Sequence, residues 1–267
     1  MAGGPIEAFP LQFHDSGRLI AALRNAEVFV NTYWVRYPYI GVTFESAVEN
    51  SGVLFRAARD AGVRRIVQVS VSNPSLDSPL AYYRGKAQVE ALLREMGVSY
   101  AIVRPTLVVG PGDILVNNVA WFLRRFPFFA MPGSGAYRVQ PVTLEDTGEI
   151  IAEAALATGY LTGDAAGPET YSFEALVRRI AAAMGREARI LHVPPRVALA
   201  GISLLGRFLG DVILSRQELD GLMDELLVSW EAPRGAQSVG DWLQAYGDRL
   251  GRSYASERAR HGGLPSR

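Results

Sequence analysis

The segment RRIVQVSVSNPSLDSPLAYYRGKAQVEALLREMGVSYAIVRP, residues 64–105, decides the fold of this chain. It opens with an almost continuously apolar run over 66–71, which is typical of a strand buried in a parallel sheet. Ser78 and Pro79 then supply an N-cap and a first-turn proline for a helix that Gly97 ends. A second apolar run, SYAIVRP, follows directly. The segment therefore predicts two parallel strands joined by a helix.

The same alternation extends towards the N-terminus. A helical pattern over 16–25 precedes the β-branched run EVFVNT at 27–32, and a long helical pattern over 43–61 is ended by Gly62. Strands joined by helical crossovers imply a parallel sheet with helices on both faces. The predicted fold class is α/β, a doubly wound, Rossmann-type sheet that is incomplete at its N-terminal side.

The chain divides into three predicted regions. The α/β body covers 1–165, and residues 166–250 form a small, mainly helical C-terminal lobe. In that lobe Ser172 is placed to cap one helix and Ser215 to cap another. The tail over 251–267 has little apolar content and is expected to be disordered.

Composition excludes several classes of function. With 267 residues, 49% of them hydrophobic, the chain can bury a substantial core. Its 27 basic and 27 acidic side chains balance, which argues against nucleic acid as a partner. Cysteine is absent and the three histidines are scattered, so no metal site is expected. No targeting segment is recognised at the start, which makes the cytoplasm the expected location.

A membrane partner is not expected either. The most apolar stretch, Val197 to Leu214, is interrupted by Arg207 and Asp211 and contains two glycines. Such a pattern suits an amphipathic helix better than a segment that crosses a bilayer.

Lys86 is the single lysine of the chain, and it follows Tyr82 by four residues on the predicted helix. This spacing puts both side chains on one helical face, where an ammonium favours the ionised form of a phenol. A tyrosine with a lowered pKa is a usable general acid or base at neutral pH. A solvated surface pair is the alternative interpretation of the same spacing.

Ser70 supports a functional interpretation of the Tyr82 and Lys86 pair. Ser70 ends the buried strand, and the carboxyl end of a parallel strand is where such folds place ligands. Ser72 is a competing candidate, and either hydroxyl could instead bind the turn at Asn73 and Pro74.

The segments RRIVQVSVSN, YYRGKAQVE and SYAIVRPTLVVGPGD resemble, in order, the second half of extended short-chain dehydrogenases/reductases of the NAD-dependent epimerase/dehydratase family. Within this family, the chain most resembles the branch that includes the nucleotide-binding accessory subunit of respiratory complex I and the NmrA-like redox sensors. The resemblance implies that Tyr82 transfers a proton, that Lys86 binds the nicotinamide ribose, and that Ser70 orients a substrate oxygen.

The resemblance also implies a cofactor, NAD or NADP, and a small-molecule substrate. Pro105 and Thr106 would line the nicotinamide pocket, and Asn31 would lie where the family passes the adenosine half of the cofactor. An asparagine that satisfies a turn at the end of a strand is the alternative for Asn31.

The sequence departs from the family pattern in one respect, the glycine-rich turn, and this departure leaves two functional hypotheses open. A dinucleotide site normally uses a glycine-rich turn between its first strand and first helix, and the sequence has no such motif. The first hypothesis is an NAD(P)-dependent oxidoreductase, epimerase or dehydratase. The second is a nucleotide-binding, sensory or assembly protein without hydride transfer. A sheet without its first strand would expose an open edge, so a homo-oligomer is also expected.

Overall fold

A computed structural model describes residues 6–39 and 41–257 of the chain. The helices, numbered in chain order, are α1 Ser16–Leu23, α2 Phe44–Asp60, α3 Ala81–Arg94, α4 Leu115–Arg125, α5 Leu144–Leu156, α6 Phe173–Ala183, α7 Pro195–Leu209, α8 Arg216–Met223 and α9 Val239–Tyr246. The strands are β1 Val28–Asn31, β2 Arg65–Val69, β3 Ser99–Pro105, β4 Leu107–Val109, β5 Phe129–Pro132, β6 Arg138–Val139, β7 Pro141–Thr143, β8 Leu161–Ala165, β9 Tyr171–Ser172 and β10 Ile190–Val193.

The main sheet has four strands in the order β1-β2-β3-β8. β1 pairs with β2, and β2 with β3, in parallel. Because each of these pairs is connected through a helix, the predicted α/β fold with a parallel sheet is confirmed. β1 lies at one edge of this sheet, where the Val30 side chain is 38% exposed.

The described residues form two compact units. The first unit comprises the described residues of 1–70 together with 74–103 and 151–163. Its core contains Phe55 from α2, Val89 and Leu93 from α3, and Ile66 and Ile102 from the sheet, all with less than 1% of their surface exposed. The apolar run that was predicted as a buried strand thus contributes Ile66 to this core.

The second unit comprises 71–73, 104–150 and the described residues from 164 onwards. Its core is centred on α6, whose Leu176 and Ile180 pack with Met131 of β5 and Leu243 of α9. Asn117 and Asn118 of α4 bind the backbone of Ser253 and Ala255. Residues 258–267 of the predicted tail lie outside the described part of the chain.

The helix boundaries follow from capping. Gly62 and Gly97 adopt positive φ values of 83° and 70° two and three residues after the ends of α2 and α3, in keeping with their predicted role as terminators. The predicted start of α3 at Ser78 was wrong, because the Ser78 hydroxyl accepts a hydrogen bond from the Leu80 N–H in a tight turn. The helix begins at Ala81 instead.

One buried arginine joins the sheet of the first unit to the chain that follows α5. Arg65 is 3% exposed, and its guanidinium donates to the carbonyl of Ala154 at 2.8 Å and to that of Gly159 at 2.6 Å. It also donates to the Ser99 hydroxyl on the neighbouring strand at 2.6 Å. Ala154 lies in the last turn of α5, where carbonyls lack partners inside the helix.

Replacing this arginine tests the role of these bonds. We expect Arg65→Met to lower the free energy of unfolding by about 2–3 kcal/mol, because the Ala154 carbonyl loses its side-chain donor and the Gly159 carbonyl keeps only a longer bond from the Ser99 hydroxyl. Arg64→Met is the matched control, since the Arg64 side chain is 75% exposed and pairs only with the equally exposed Glu27. That control should change stability by no more than about 0.5 kcal/mol. Equal effects in urea denaturation would contradict the assigned role of Arg65.

Candidate functional site

Three polar side chains follow one another at four-residue spacing along α3. Tyr82, Lys86 and Glu90 therefore lie on one helical face, one turn apart. Lys86 and Glu90 are 4% and 1% exposed, and Tyr82 is partly buried. The Tyr82 and Lys86 pair is thus not a solvated surface pair.

Lys86 is held by a carbonyl and by an aromatic ring. Its ammonium donates to the carbonyl oxygen of Val69, the last residue of β2, at 3.1 Å. The same nitrogen lies 4.8 Å from the ring centroid of Trp34, which is a cation–π distance. Burial lowers the pKa of Lys86 to about 7, and the negative charge of Glu90 acts in the opposite direction.

Trp34 connects Lys86 with Tyr82. The indole stacks on Phe44 with a centroid separation of 6.0 Å and meets the Tyr82 ring edge-on at 6.0 Å. A Cβ atom on Gly85 would lie 2.9 Å from the Trp34 ring, so this approach requires glycine there. Among the described residues the buried indole Nε1 has no hydrogen-bond partner.

Ser70 lies at the carboxyl end of β2, as predicted, and is oriented by α3. Its hydroxyl donates to Oε1 of Glu90 at 2.7 Å, and its own N–H donates to the Val103 carbonyl. The other Glu90 oxygen pairs with Arg94 at 3.0 Å. The competing candidate Ser72 belongs to the second unit and donates to the Leu226 carbonyl.

Asn31 ends β1 beside the end of β2. Its amide nitrogen donates to the Gln68 side-chain oxygen at 2.7 Å, and its amide oxygen accepts from the Tyr33 N–H at 3.2 Å. The Asn31 side chain is 1% exposed, so it supports the turn that leaves β1 and carries Trp34.

Pro105 and Thr106 are both buried and belong to the second unit. The Pro105 carbonyl accepts from the Ser72 N–H, and the Thr106 hydroxyl donates to the Gln140 carbonyl. The hydroxyl donor of Thr106 is thus already used within its own unit.

The first unit therefore brings together Tyr82, Lys86 and Ser70, three of the residues singled out in the sequence. It adds two that sequence reasoning missed, Trp34 and Glu90. Glu90 could have been found from its position four residues after Lys86. Trp34 could not, because no spacing rule relates a residue in the connection after β1 to one on α3.

Two arginines of the second unit, Arg138 and Arg124, have partners within that unit. Arg138 pairs with Glu225 through two bonds, at 2.6 and 2.8 Å. Arg124 donates to the carbonyl of Leu250 at 2.7 Å. Within the described ranges, no group of three or more potential metal ligands is found. No helix in the described part of the chain is long and apolar enough to cross a membrane.

Two curated proteins to which this chain is similar are named as subunits of NADH dehydrogenases. The chain is 24% identical over 201 residues to the Arabidopsis thaliana mitochondrial protein named NADH dehydrogenase [ubiquinone] 1 alpha subcomplex subunit 9. It is 21% identical over 232 residues to the 40 kDa subunit of Neurospora crassa NADH-ubiquinone oxidoreductase. These matches cover 73% and 86% of this chain, but only 50% and 61% of the relatives. No protein-family model matches the chain.

Solved structures share its fold. A nucleoside-diphosphate-sugar epimerase from Staphylococcus aureus has a TM-score of 0.67 at 18% identity, with 87% of this chain and 81% of that one covered. Citrobacter triphenylmethane reductase with NADP(H) has a TM-score of 0.67 at 14% identity, with 88% of this chain and 81% of that one covered. The Escherichia coli NADPH-dependent quinone oxidoreductase QOR2 has a TM-score of 0.67 at 16% identity, with the same coverage of 88% of this chain and 81% of that one. The predicted Rossmann-type fold is confirmed, and the similarity to NADH dehydrogenase subunits agrees with the resemblance noted in the sequence.

The single lysine makes the protonation of the site directly measurable. In protein grown with isotopically labelled lysine, we expect one side-chain NMR signal that titrates near pH 7 rather than near the ordinary 10.5. Above pH 7 the unfolded chain keeps a proton that the folded chain has lost, so stability should rise with pH by up to about 1.4 kcal/mol per unit. Lys86→Met should remove both the signal and this slope. Titration above about pH 10 would contradict the burial of the charge.

Proposed function

We propose that this chain is a NAD(P)-dependent protein of the epimerase/dehydratase and reductase type, in which Tyr82 exchanges a proton with a small-molecule substrate. The observation that carries the proposal is the burial of the single lysine one helical turn from Tyr82. An ammonium out of water destabilises a fold unless it is well paired, and strongly perturbed amines concentrate at functional sites. A lysine that served only packing would be replaced at less cost by an apolar residue.

The proposed division of labour assigns the proton to the phenol oxygen of Tyr82. In its protonated state Lys86 favours the phenolate by charge, and Trp34 and Phe44 fix the plane of the tyrosine ring. Ser70, oriented by Glu90, keeps its oxygen lone pairs for a hydrogen bond from a substrate hydroxyl.

The residues of the first unit fit the nicotinamide-ribose half of a dinucleotide. NAD or NADP, when bound, supplies the hydride acceptor or donor. Lys86 would hold the ribose hydroxyls, with its donor bond to the Val69 carbonyl exchanged in part for them. Pro105 and Thr106 are proposed to contact the nicotinamide, and Asn31 the adenosine half. Since the Thr106 hydroxyl donates within its own unit, its contribution would be packing.

The pyrophosphate half finds less support. Over residues 6–39 and 41–257 no glycine-rich turn joins a strand to a helix before β1. Such a turn normally contributes several backbone donors and a helix N-terminus to the phosphates. A second candidate function therefore stands beside the first: nucleotide binding, sensing or assembly without hydride transfer. The indole over Lys86 favours this candidate, because it covers the group that would meet the ribose.

The names of the curated relatives also suit a role within an assembly, since both are subunits of larger dehydrogenases. A protein partner is accordingly part of the second candidate function, and a homo-oligomer remains a prediction. The cytoplasmic location expected from the sequence also stays a prediction.

Titration with NADH and NADPH, followed by tryptophan fluorescence and melting temperature, tests the first function. We expect one nucleotide to bind, and Tyr82→Phe to leave its Kd within about threefold while lowering turnover of carbonyl or quinone acceptors by about 100-fold or more. Tyr83→Phe is the matched control, because Tyr83 is the buried neighbour on the same helix, and it should retain turnover. An active Tyr82→Phe variant, or no binding of either nucleotide, would refute the catalytic proposal. Binding without turnover in the unmodified chain supports the second function.

A further inference from the structure

The outer face of α7 is the feature that neither proposed function uses. Val197, Leu204 and Phe208 are 57%, 56% and 81% exposed, although all three are large apolar side chains. Their spacing of seven and four residues aligns them in one ridge along the helix. The opposite side packs against the second unit, where Ala198 and Gly206 are buried. We call these three side chains the α7 ridge.

The charged side chains of α7 itself are of one sign. Arg196 and Arg207 are exposed on α7, each directly beside a ridge residue in sequence, and on a helical wheel both fall on the same flank of the ridge. From residue 188 to residue 210 the chain has three arginines and no aspartate or glutamate. In a chain with 27 acidic and 27 basic side chains, this stretch is a local excess of positive charge.

We propose that the α7 ridge docks on the surface of an anionic lipid bilayer. A helix with an apolar ridge and arginines on its flank lies in the plane of the interface, with its apolar side chains at the boundary of headgroups and acyl chains. Arg196 and Arg207 then meet lipid phosphates, which accept paired hydrogen bonds from a guanidinium. The helix has only 15 residues and lies on the bilayer rather than across it.

A second copy of the chain fits this face less well. A two-fold interface brings the same patch of each copy together, so the arginines of one copy would approach those of the other. Within α7 no carboxylate is available to pair with them, and the carboxyl of Asp211, just after the helix, is buried and accepts a hydrogen bond from the Tyr254 hydroxyl. An anionic surface supplies the opposite charge directly, and this is the observation that selects the bilayer as the partner.

Sedimentation with lipid vesicles tests the proposal on the full chain. We expect the protein to bind vesicles of phosphatidylcholine mixed with phosphatidylglycerol, and to bind vesicles of phosphatidylcholine alone at least about tenfold more weakly. Phe208→Ser should weaken binding to the anionic vesicles by about tenfold or more, since it removes the most exposed apolar side chain of the ridge. Arg207→Gln should weaken it about fivefold and reduce its dependence on salt.

Leu156→Ser is the matched control, because Leu156 is 85% exposed at the end of α5, in the first unit. It should bind the anionic vesicles as the unmodified chain does, and circular dichroism should show that every variant is folded. Three results would overturn the proposal: no binding to anionic vesicles, equal binding in folded Phe208→Ser, or a dimer in sedimentation equilibrium that Phe208→Ser dissociates. The last would assign the α7 ridge to a second copy of the chain.

Discussion

Removal of the Lys86 ammonium from water is the constraint around which the candidate site is arranged. A buried cation needs compensating partners, and here these are the Val69 carbonyl, the face of Trp34 and the charge of Glu90 one turn along α3. Glycine at position 85 is a consequence, because a Cβ atom there would lie 2.9 Å from the Trp34 ring and would require the indole or α3 to shift. The short motif on α3 and the connection after β1 are thus one unit of packing, although about fifty residues separate them in sequence.

The same arrangement explains why two functions compete for one site. Burial lowers the pKa of Lys86 to about 7, and Trp34 is one of the groups that cover its ammonium. The indole thereby covers the nitrogen that a ribose hydroxyl would need. The two proposed functions therefore differ in where this indole must lie relative to Lys86 and Tyr82: the first requires it to move off the ammonium, and the second does not. The Ser70–Glu90 bond does not discriminate, since it orients the serine in either case.

Sequence patterns predicted the fold well and the site in part, for reasons that are local. Glycines with positive φ and apolar strands are visible within a few residues of chain, so the ends of α2 and α3 and the order of strand and helix could be predicted. The start of α3 could not, because Ser78 serves equally as a helix cap and as a turn residue. The role of Trp34 could not be predicted, because its contact with Lys86 depends on how β1 and α3 pack together, and no short-range spacing in the sequence determines this packing.

The overall composition of the chain did not reveal the positively charged, apolar face of α7. Equal numbers of acidic and basic residues suggested that no charged surface would matter. The stretch from 188 to 210 nevertheless carries only positive charge, and the fold turns its Leu204 and Phe208 outward, so that charge and apolar area coincide on α7. The Arg207 that argued against a membrane-crossing helix is what makes the same segment suited to an interface, because an interfacial helix needs cations on the flank of its apolar ridge. The average hydropathy of a segment indicates whether it can span a membrane. The placement of its charged and apolar side chains indicates whether it can bind at the membrane surface.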